Sequence, residues 1–91
     1  MTRTLIFPSG AAKKKLARFI EQHPELEGRI EKVLDALLKN PRDPGVGAHK
    51  LTVQFKDFYG ADVTPRSYRI VYAFSDDHVY FLNIGTHDEV Y

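Results

Sequence analysis

Apolar residues recur at helical spacing through the first half of the chain and alternate with polar residues through much of the second half. The strongest helical period lies in residues 24–39, where apolar positions step by three and four, and it predicts a helix with one wide apolar face. A shorter helix is predicted over residues 11–22, because Ser9 is a suitable N-cap and Pro24 disfavours continuation. The apolar positions of the two helices are Ala12, Leu16, Phe19, Ile20, Leu26, Ile30, Val33, Leu34, Leu37 and Leu38.

Strand patterns flank this helical pair on both sides. A short β-prone run at residues 4–7 precedes the helices, and a loop rich in Pro, Gly and Asn at residues 40–47 follows them. Further strands are predicted over residues 51–58, 67–74 and 78–84, with a hairpin turn between the last two. The predicted order is β-α-α-β-β-β. It describes an α+β fold in which a helical hairpin covers one face of a small, mainly antiparallel sheet.

The composition limits what kind of protein this is. A chain of 91 residues suits a single domain spanning residues 1–91. The absence of Cys excludes a disulfide framework, a thiolate zinc site and a cysteine nucleophile. Because the chain has no apolar run long enough for a membrane span and no signal-peptide pattern at its start, a cytoplasmic protein without membrane contact is expected.

The charge is nearly balanced overall but unevenly distributed. The formal net charge is +1, residues 1–48 hold nine basic and six acidic residues, and residues 49–91 hold four basic and six acidic ones. This net charge is too small to attract nucleic acid to the whole surface, so an RNA site has to be a local patch of positive charge. The run Lys13, Lys14 and Lys15 is open to two interpretations, a solvated helix face or a set of contacts to RNA phosphates.

No cofactor or metal is expected from the motifs. The chain has no Gly-rich phosphate-binding motif and no pair of His at helical spacing.

Four short motifs, in order, carry a resemblance to a known family. They are Asn40-Pro41, His49-Lys50-Leu51, the Tyr-Arg-Ile-Val-Tyr run at 68–72, and the Ile-Gly-Thr-His-Asp-Glu-Val-Tyr run at 84–91. With the order of elements, they resemble the RelE/ParE superfamily of toxins from bacterial type II toxin–antitoxin pairs, over nearly the whole chain. Gly85-Thr86-His87 followed four residues later by an aromatic is most similar to the YafQ branch.

This resemblance implies a function and partners. The YafQ-like branch implies a ribosome-dependent endoribonuclease that cuts mRNA without a metal and is silenced by a cognate antitoxin, in a toxin–antitoxin hetero-oligomer. Two alternatives stay open: a ParE-type toxin that inhibits DNA gyrase by binding, and a folded antitoxin-binding domain without catalysis.

The resemblance also implies site residues. His49 stands at the family's first catalytic His, and His87 and Tyr91 stand at its last His and aromatic. Asp62 replaces a His in what is expected to be a turn, so we expect it to accept a hydrogen bond or ion pair from His49, His87 or Arg66. Arg69 matches a strand arginine of RelE-like toxins. Its simpler interpretation is a surface salt bridge with Asp62 or Asp88.

The chemistry of RNA cleavage suits these residue types. Without a metal, a base must take the proton of the ribose 2′-OH, a cation must stabilise the phosphorane, and an acid must protonate the leaving 5′-oxygen. His, Arg and Tyr can fill these roles, and Tyr can also stack on a base. Contacts to RNA are expected from Lys13, Lys14, Lys15, Lys50 and Arg66.

Overall fold

Two α-helices and five strands form the fold in the computed structural model, which describes residues 2–51, 57–64, 67–86 and Val90. The α+β class predicted from the sequence is confirmed, with one strand more than expected. Short 3-10 turns precede α2 and β2. In chain order the elements are β1 (Thr4–Ile6), α1 (Gly10–Gln22), α2 (Glu27–Lys39), β2 (His49–Lys50), β3 (Tyr59–Thr64), β4 (Tyr68–Phe74) and β5 (His78–Thr86).

The strands form one mixed sheet in the order β1-β5-β4-β3-β2. All neighbouring pairs are antiparallel except β1 and β5, which run parallel. The sheet is therefore mainly antiparallel, as predicted. The first strand of the chain lies beside the last one, and β4 and β5 occupy interior positions.

The ends of both helices follow the local signals in the sequence. The hydroxyl of Ser9 caps α1 by accepting a hydrogen bond from the N–H of Ala12 at 3.1 Å. The backbone N–H of His23 closes α1 on the carbonyls of Phe19 and Ile20, and Pro24 starts the 3-10 turn that leads into α2. Within the described part of the chain, neither helix is long and apolar enough to cross a membrane.

Both helices pack on the same face of the sheet, α1 over β5 and α2 over β3. The predicted helical stripe is confirmed, with Ile30, Val33 and Leu37 buried and Leu34 half-buried at the margin. The core cluster contains Ala12, Phe19, Ile30, Val33, Leu37, Ala61, Val63, Ile70, Tyr72, Val79, Phe81 and Ile84.

Tyr72 joins this core to the loop that follows α2. Its side chain is fully buried, and its hydroxyl donates a hydrogen bond to the Pro41 carbonyl at 2.5 Å. A buried phenol needs such a partner, because an unpaired hydroxyl in the core is costly. The loop is therefore fastened to the centre of the sheet.

The strand predicted at residues 51–58 is wrong in its described part. Strand structure occurs instead at His49–Lys50 and Tyr59–Thr64, and residues 52–56 lie outside the described residues. Asp62, expected in a turn, lies inside β3. Gly60 and Asp62 are poor strand formers, but Ala61 and Val63 bury their side chains against α2 and the core, and this packing outweighs local propensity.

Candidate functional site

The face of the sheet opposite the helices, called here the open face, carries three of the predicted site residues. Cross-strand pairing places His49 beside Gly60 and Gly60 beside Val71. The next row of the same face pairs Asp62 with Arg69. Asp62 is thus the diagonal neighbour of His49, a position from which side chains on adjacent strands can interact. Among the described elements, both helices lie on the other side.

An ion pair joins two of these residues across β3 and β4. Arg69 Nε lies 3.4 Å from Asp62 Oδ1, and the two side chains are 26% and 30% exposed. The Oδ1 atom is buried and accepts no well-aligned hydrogen bond from any described residue. Among the described residues, Asp62 therefore forms an ion pair with Arg69, as the simpler interpretation of Arg69 predicted. Of the partners expected for Asp62, Arg66 and His87 lie outside the described residues. Arg69 also pairs through its backbone with Gly85.

The backbone of Gly47 lies close to the carboxylate of Asp62. Its φ of +66° suits glycine, and a Cβ added there would lie only 2.5 Å from Asp62 Oδ2. With Arg29 and Lys32 of α2, the same loop borders a cleft of about 290 Å³ that Asp62 also lines. The sequence predicted a turn-rich loop here but gave no sign that its backbone packs against Asp62.

The ring of His49 is oriented by the same loop. Its Nδ1 lies 2.9 Å from the Gly47 carbonyl oxygen. A carbonyl can only accept, so Nδ1 carries the proton, and in the neutral ring Nε2 holds the lone pair. His49 is exposed at the edge of the sheet. This tautomer presents Nε2 as a proton acceptor.

The other predicted site residues are distributed differently. Lys50 pairs with Tyr59, and the side chain of Tyr59 packs against the core. Lys50 therefore lies on the helix-covered face of β2, whereas His49 lies on the open face. Arg66, His87 and Tyr91 lie outside the described residues. The structure therefore brings together His49, Asp62 and Arg69 and separates Lys50 from them.

The lysine run of α1 borders a different part of the molecule. Lys13, Lys14 and Lys15 are all exposed, but only Lys14 and Lys15 line a cleft of about 480 Å³ between α1 and the ends of β4 and β5. We call it the α1 cleft. Sequence reasoning did not find it, because its walls come from three separate elements. It is lined by Ala11, Lys14, Lys15, Arg18, Phe19, Gln22, His23, Tyr68, Ile84, Gly85 and Thr86.

The described residues offer no obvious metal centre. No group of three or more His, Asp or Glu side chains comes together in the parts of the chain that the structure describes. The carboxylate of Asp62 is already paired with a guanidinium.

Solved structures of bacterial toxins share this fold. The DinJ–YafQ toxin–antitoxin complex of E. coli matches with a TM-score of 0.79 and 22% identity, over 100% of this chain and 99% of that one. The YoeB–YefM complex of Staphylococcus aureus gives 0.75 and 20%, over 96% and 99%. A copper-bound mutant toxin from Helicobacter pylori gives 0.72 and 24%, over the full length of both chains. At these identities the likeness establishes the fold.

The family itself follows from the sequence. No curated protein matches the chain. Residues 6–91 match the family model described as ParE toxin of type II toxin-antitoxin system, parDE. That match covers nearly the whole chain, and it agrees with the fold of two helices on one face of a mainly antiparallel sheet. The chain therefore belongs to the ParE toxin family of type II toxin–antitoxin systems.

Proposed function

We propose that this toxin is a ribosome-dependent endoribonuclease that cuts mRNA by metal-independent acid–base catalysis in the cytoplasm. The observation that carries the proposal is the Asp62–Arg69 pair on the open face of the sheet, with the ring of His49 at its diagonal. In-line cleavage of RNA requires a base, a cation and an acid. The imidazole and the guanidinium can supply the first two, and the carboxylate positions the guanidinium.

Arg69 supplies the cation. A guanidinium stays protonated at all physiological pH values and carries five N–H donors, so it can bind Asp62 and a phosphate oxygen at the same time. Asp62 fixes the direction of the side chain, and Gly47 limits where the carboxylate can move. In this proposal Arg69 stabilises the negative charge that builds on the phosphorane, and Asp62 is a positioning residue.

His49 acts as the base. With Nδ1 committed to the Gly47 carbonyl, Nε2 can take the proton of the ribose 2′-OH. The family resemblance places His87 and Tyr91 in the site. In this proposal His87 protonates the leaving 5′-oxygen as the acid, and Tyr91 holds the nucleotide. Gly85, the backbone partner of Arg69, precedes His87 by two positions in the chain, which supports a shared site.

A cognate antitoxin is the proposed protein partner. Two of the structures with this fold are complexes, DinJ–YafQ and YoeB–YefM, the first named as a toxin–antitoxin complex. The open face of this chain also presents half-buried apolar side chains that no described helix covers, namely Ile6, Tyr80 and Leu82. An antitoxin segment that covers this face would bury them together with the Asp62–Arg69 pair.

One competing function has a specific observation in its favour. The matching family model bears the name of the ParE toxin, and a ParE-type toxin inhibits DNA gyrase by binding rather than by cleavage. A toxin that only binds has no need for an imidazole with a defined tautomer beside an arginine–aspartate pair. This difference makes the two functions separable by experiment.

Expression of the chain in growing cells tests the proposal. We expect growth arrest, with new mRNA ends mapped by primer extension and plasmid supercoiling unchanged. Arg69→Gln should strongly reduce the cuts while the protein stays folded. Lys39→Gln, an exposed change at the end of α2, is the matched control and should cut like the parent. Loss of supercoiling without mRNA cuts would favour gyrase inhibition, and a harmless chain would favour a silent antitoxin-binding domain.

A further inference from the structure

We propose that the α1 cleft binds one nucleotide of single-stranded RNA next to the site on the open face, with the phosphate on its basic wall and the base on its aromatic wall. This inference rests on the proposed function. To the contacts expected from Lys14 and Lys15 it adds a defined ligand, one nucleotide, in a cleft on the helix-covered side of the sheet.

The basic wall comes from α1. Lys14, Lys15 and Arg18 line the cleft together, and Lys14 and Arg18 are four residues apart, which places them on one side of the helix. None of the described residues that line the cleft is acidic. Glu25 is not in this lining; its Oε1 is 3.9 Å from His23 Nδ1, and its side chain is 61% exposed. The cleft thus carries concentrated positive charge, although the whole chain has a net charge of only +1.

The aromatic side chains that line the cleft are Phe19 and His23 at α1 and Tyr68 of β4. The ring centroids of His23 and Tyr68 are 4.9 Å apart, and each ring also contacts Phe19, at 4.6 and 5.0 Å. The side chain of His23 is still 29% exposed, so part of its ring faces the cleft. Aromatic rings that are held by neighbouring rings are well suited to stack on a base, because these side chains lose little conformational freedom when the base binds.

The position of the cleft favours a nucleotide over an acidic peptide. It opens at the ends of β4 and β5, and both are interior strands, so no sheet edge is available there for strand addition. Its volume of about 480 Å³ suits a small ligand. Thr86, the last residue of β5, lines the cleft and directly precedes His87 in the sequence. The cleft is therefore lined by the residue that comes immediately before the proposed acid in the sequence.

Binding of an uncleavable RNA tests the cleft apart from catalysis. The probe is a short fluorescein-labelled oligouridylate with 2′-O-methyl riboses, and its affinity for the full chain is measured by anisotropy at several salt concentrations. Lys15→Gln or Arg18→Gln should reduce the slope of log affinity against log salt by about 0.7, the value for one phosphate contact on a single strand. His23→Ala should weaken binding by about 5–150-fold, the range for loss of one stacked base, and His23→Phe should restore it.

Lys13→Gln distinguishes binding in the cleft from general electrostatic attraction to the positively charged helix. Lys13 belongs to the same lysine run but does not line the cleft. A smaller effect of Lys13→Gln than of Lys15→Gln supports the cleft, and equal effects overturn it. Circular dichroism verifies that each variant is folded. If a polyglutamate peptide loses affinity in the cleft variants while the RNA does not, the ligand is an acidic peptide and the proposal is wrong.

Two further measurements, ribosome binding and mRNA cleavage, identify the source of the nucleotide and test the cleft proposal separately from the proposed function. A loss of affinity for vacant ribosomes assigns the cleft to ribosomal RNA, and a loss confined to programmed ribosomes assigns it to mRNA. If the parent chain binds the oligonucleotide through the cleft but cuts no mRNA, the proposed function fails alone. If the parent cuts mRNA while all cleft variants bind RNA normally, the cleft proposal fails alone.

Discussion

The two faces of the sheet use neighbouring residues of the same strand for opposite purposes. On the helix-covered face, Ile70 and Tyr72 of β4 are completely buried. On the open face, Arg69 between Tyr68 and Ile70 keeps a quarter of its side chain exposed and forms an ion pair with Asp62. One face supplies the free energy of folding through apolar burial, and the other holds charged groups that a purely stabilising design would not place there.

This division means that stability and activity should respond to different substitutions. The covered face is packed with apolar side chains, so its variants should change the free energy of unfolding. The open face carries exposed or half-exposed polar groups, so its variants should change the rate of RNA cleavage with little effect on folding. Each of the following substitutions tests that separation.

The largest effect is expected for His49→Gln on the open face. Removal of one positioned base typically lowers the rate by about 10²–10⁴-fold, and because His49 is exposed, the free energy of unfolding should stay nearly unchanged. Cleavage of mRNA on programmed ribosomes measures the rate. His78→Gln, a half-buried His at the start of β5, is the control and should cut like the parent. Full activity of His49→Gln would remove this residue from the mechanism.

The next largest effect belongs to the covered face. Leu37 is completely buried, so Leu37→Ala should lower the free energy of unfolding by about 2–5 kcal/mol through lost burial and the cavity left behind. Urea unfolding measures the change. Leu34→Ala removes the same atoms from a half-buried position and should cost clearly less. Equal losses in the two variants would show that the stripe is oriented differently.

Gly47→Ala should change both the stability of the fold and the rate of cleavage. A non-glycine residue at positive φ costs about 1–3 kcal/mol, and the new Cβ would also displace the carboxylate of Asp62. We therefore expect both a lower melting temperature and slower cleavage. Gly28→Ala is the control, because nothing lies within 4 Å of its added Cβ in α2. That change should stabilise the chain slightly and leave cleavage intact.

The smallest effect is expected at the exposed start of α1. Ser9→Ala removes the N-cap hydrogen bond to Ala12 and should cost about 1 kcal/mol, within the usual range for such caps. Ser9→Asp keeps an acceptor and should retain most of the stability. Thermal unfolding distinguishes the two variants, and cleavage by both should match the parent. A loss of activity in Ser9→Ala would contradict the claim that substitutions on the helix side change stability without changing cleavage.

The sequence predicted the covered face well, because helical periodicity and caps are local signals. Ser9, Pro24 and the stripe through Leu37 all lie where the pattern placed them. The limits of β3 were missed, because Gly60 and Asp62 disfavour strands locally and are held in one by long-range packing. Gly85 and Thr86 extend β5 past its predicted end at Ile84 for the same reason, since both residues are paired with β4.

The site was only partly predictable, and the reason is geometric. The resemblance pointed to His49, Asp62 and Arg69, but only the strand register shows that Asp62 meets Arg69. The roles of Gly47 and of the α1 cleft depend on contacts between segments far apart in sequence, which periodicity does not encode. The assignments of His87, Tyr91 and Arg66 remain predictions from the resemblance.

The parallel pairing of β1 with β5 has a consequence for how the chain assembles. Thr4–Ile6 pairs with residues 78–80 of β5, from Thr4↔His78 to Ile6↔Tyr80, so the first strand can join the sheet only after the last strand has been made. Closing so long a segment costs entropy before any contact repays it, and contacts of this kind slow folding. During synthesis the helical pair can form early, whereas the complete sheet, including the row of Arg69 and Gly85, has to wait for β5. The part of the proposed RNA-cutting surface that contains Arg69 and Gly85 is therefore complete only when β5 has paired with β4.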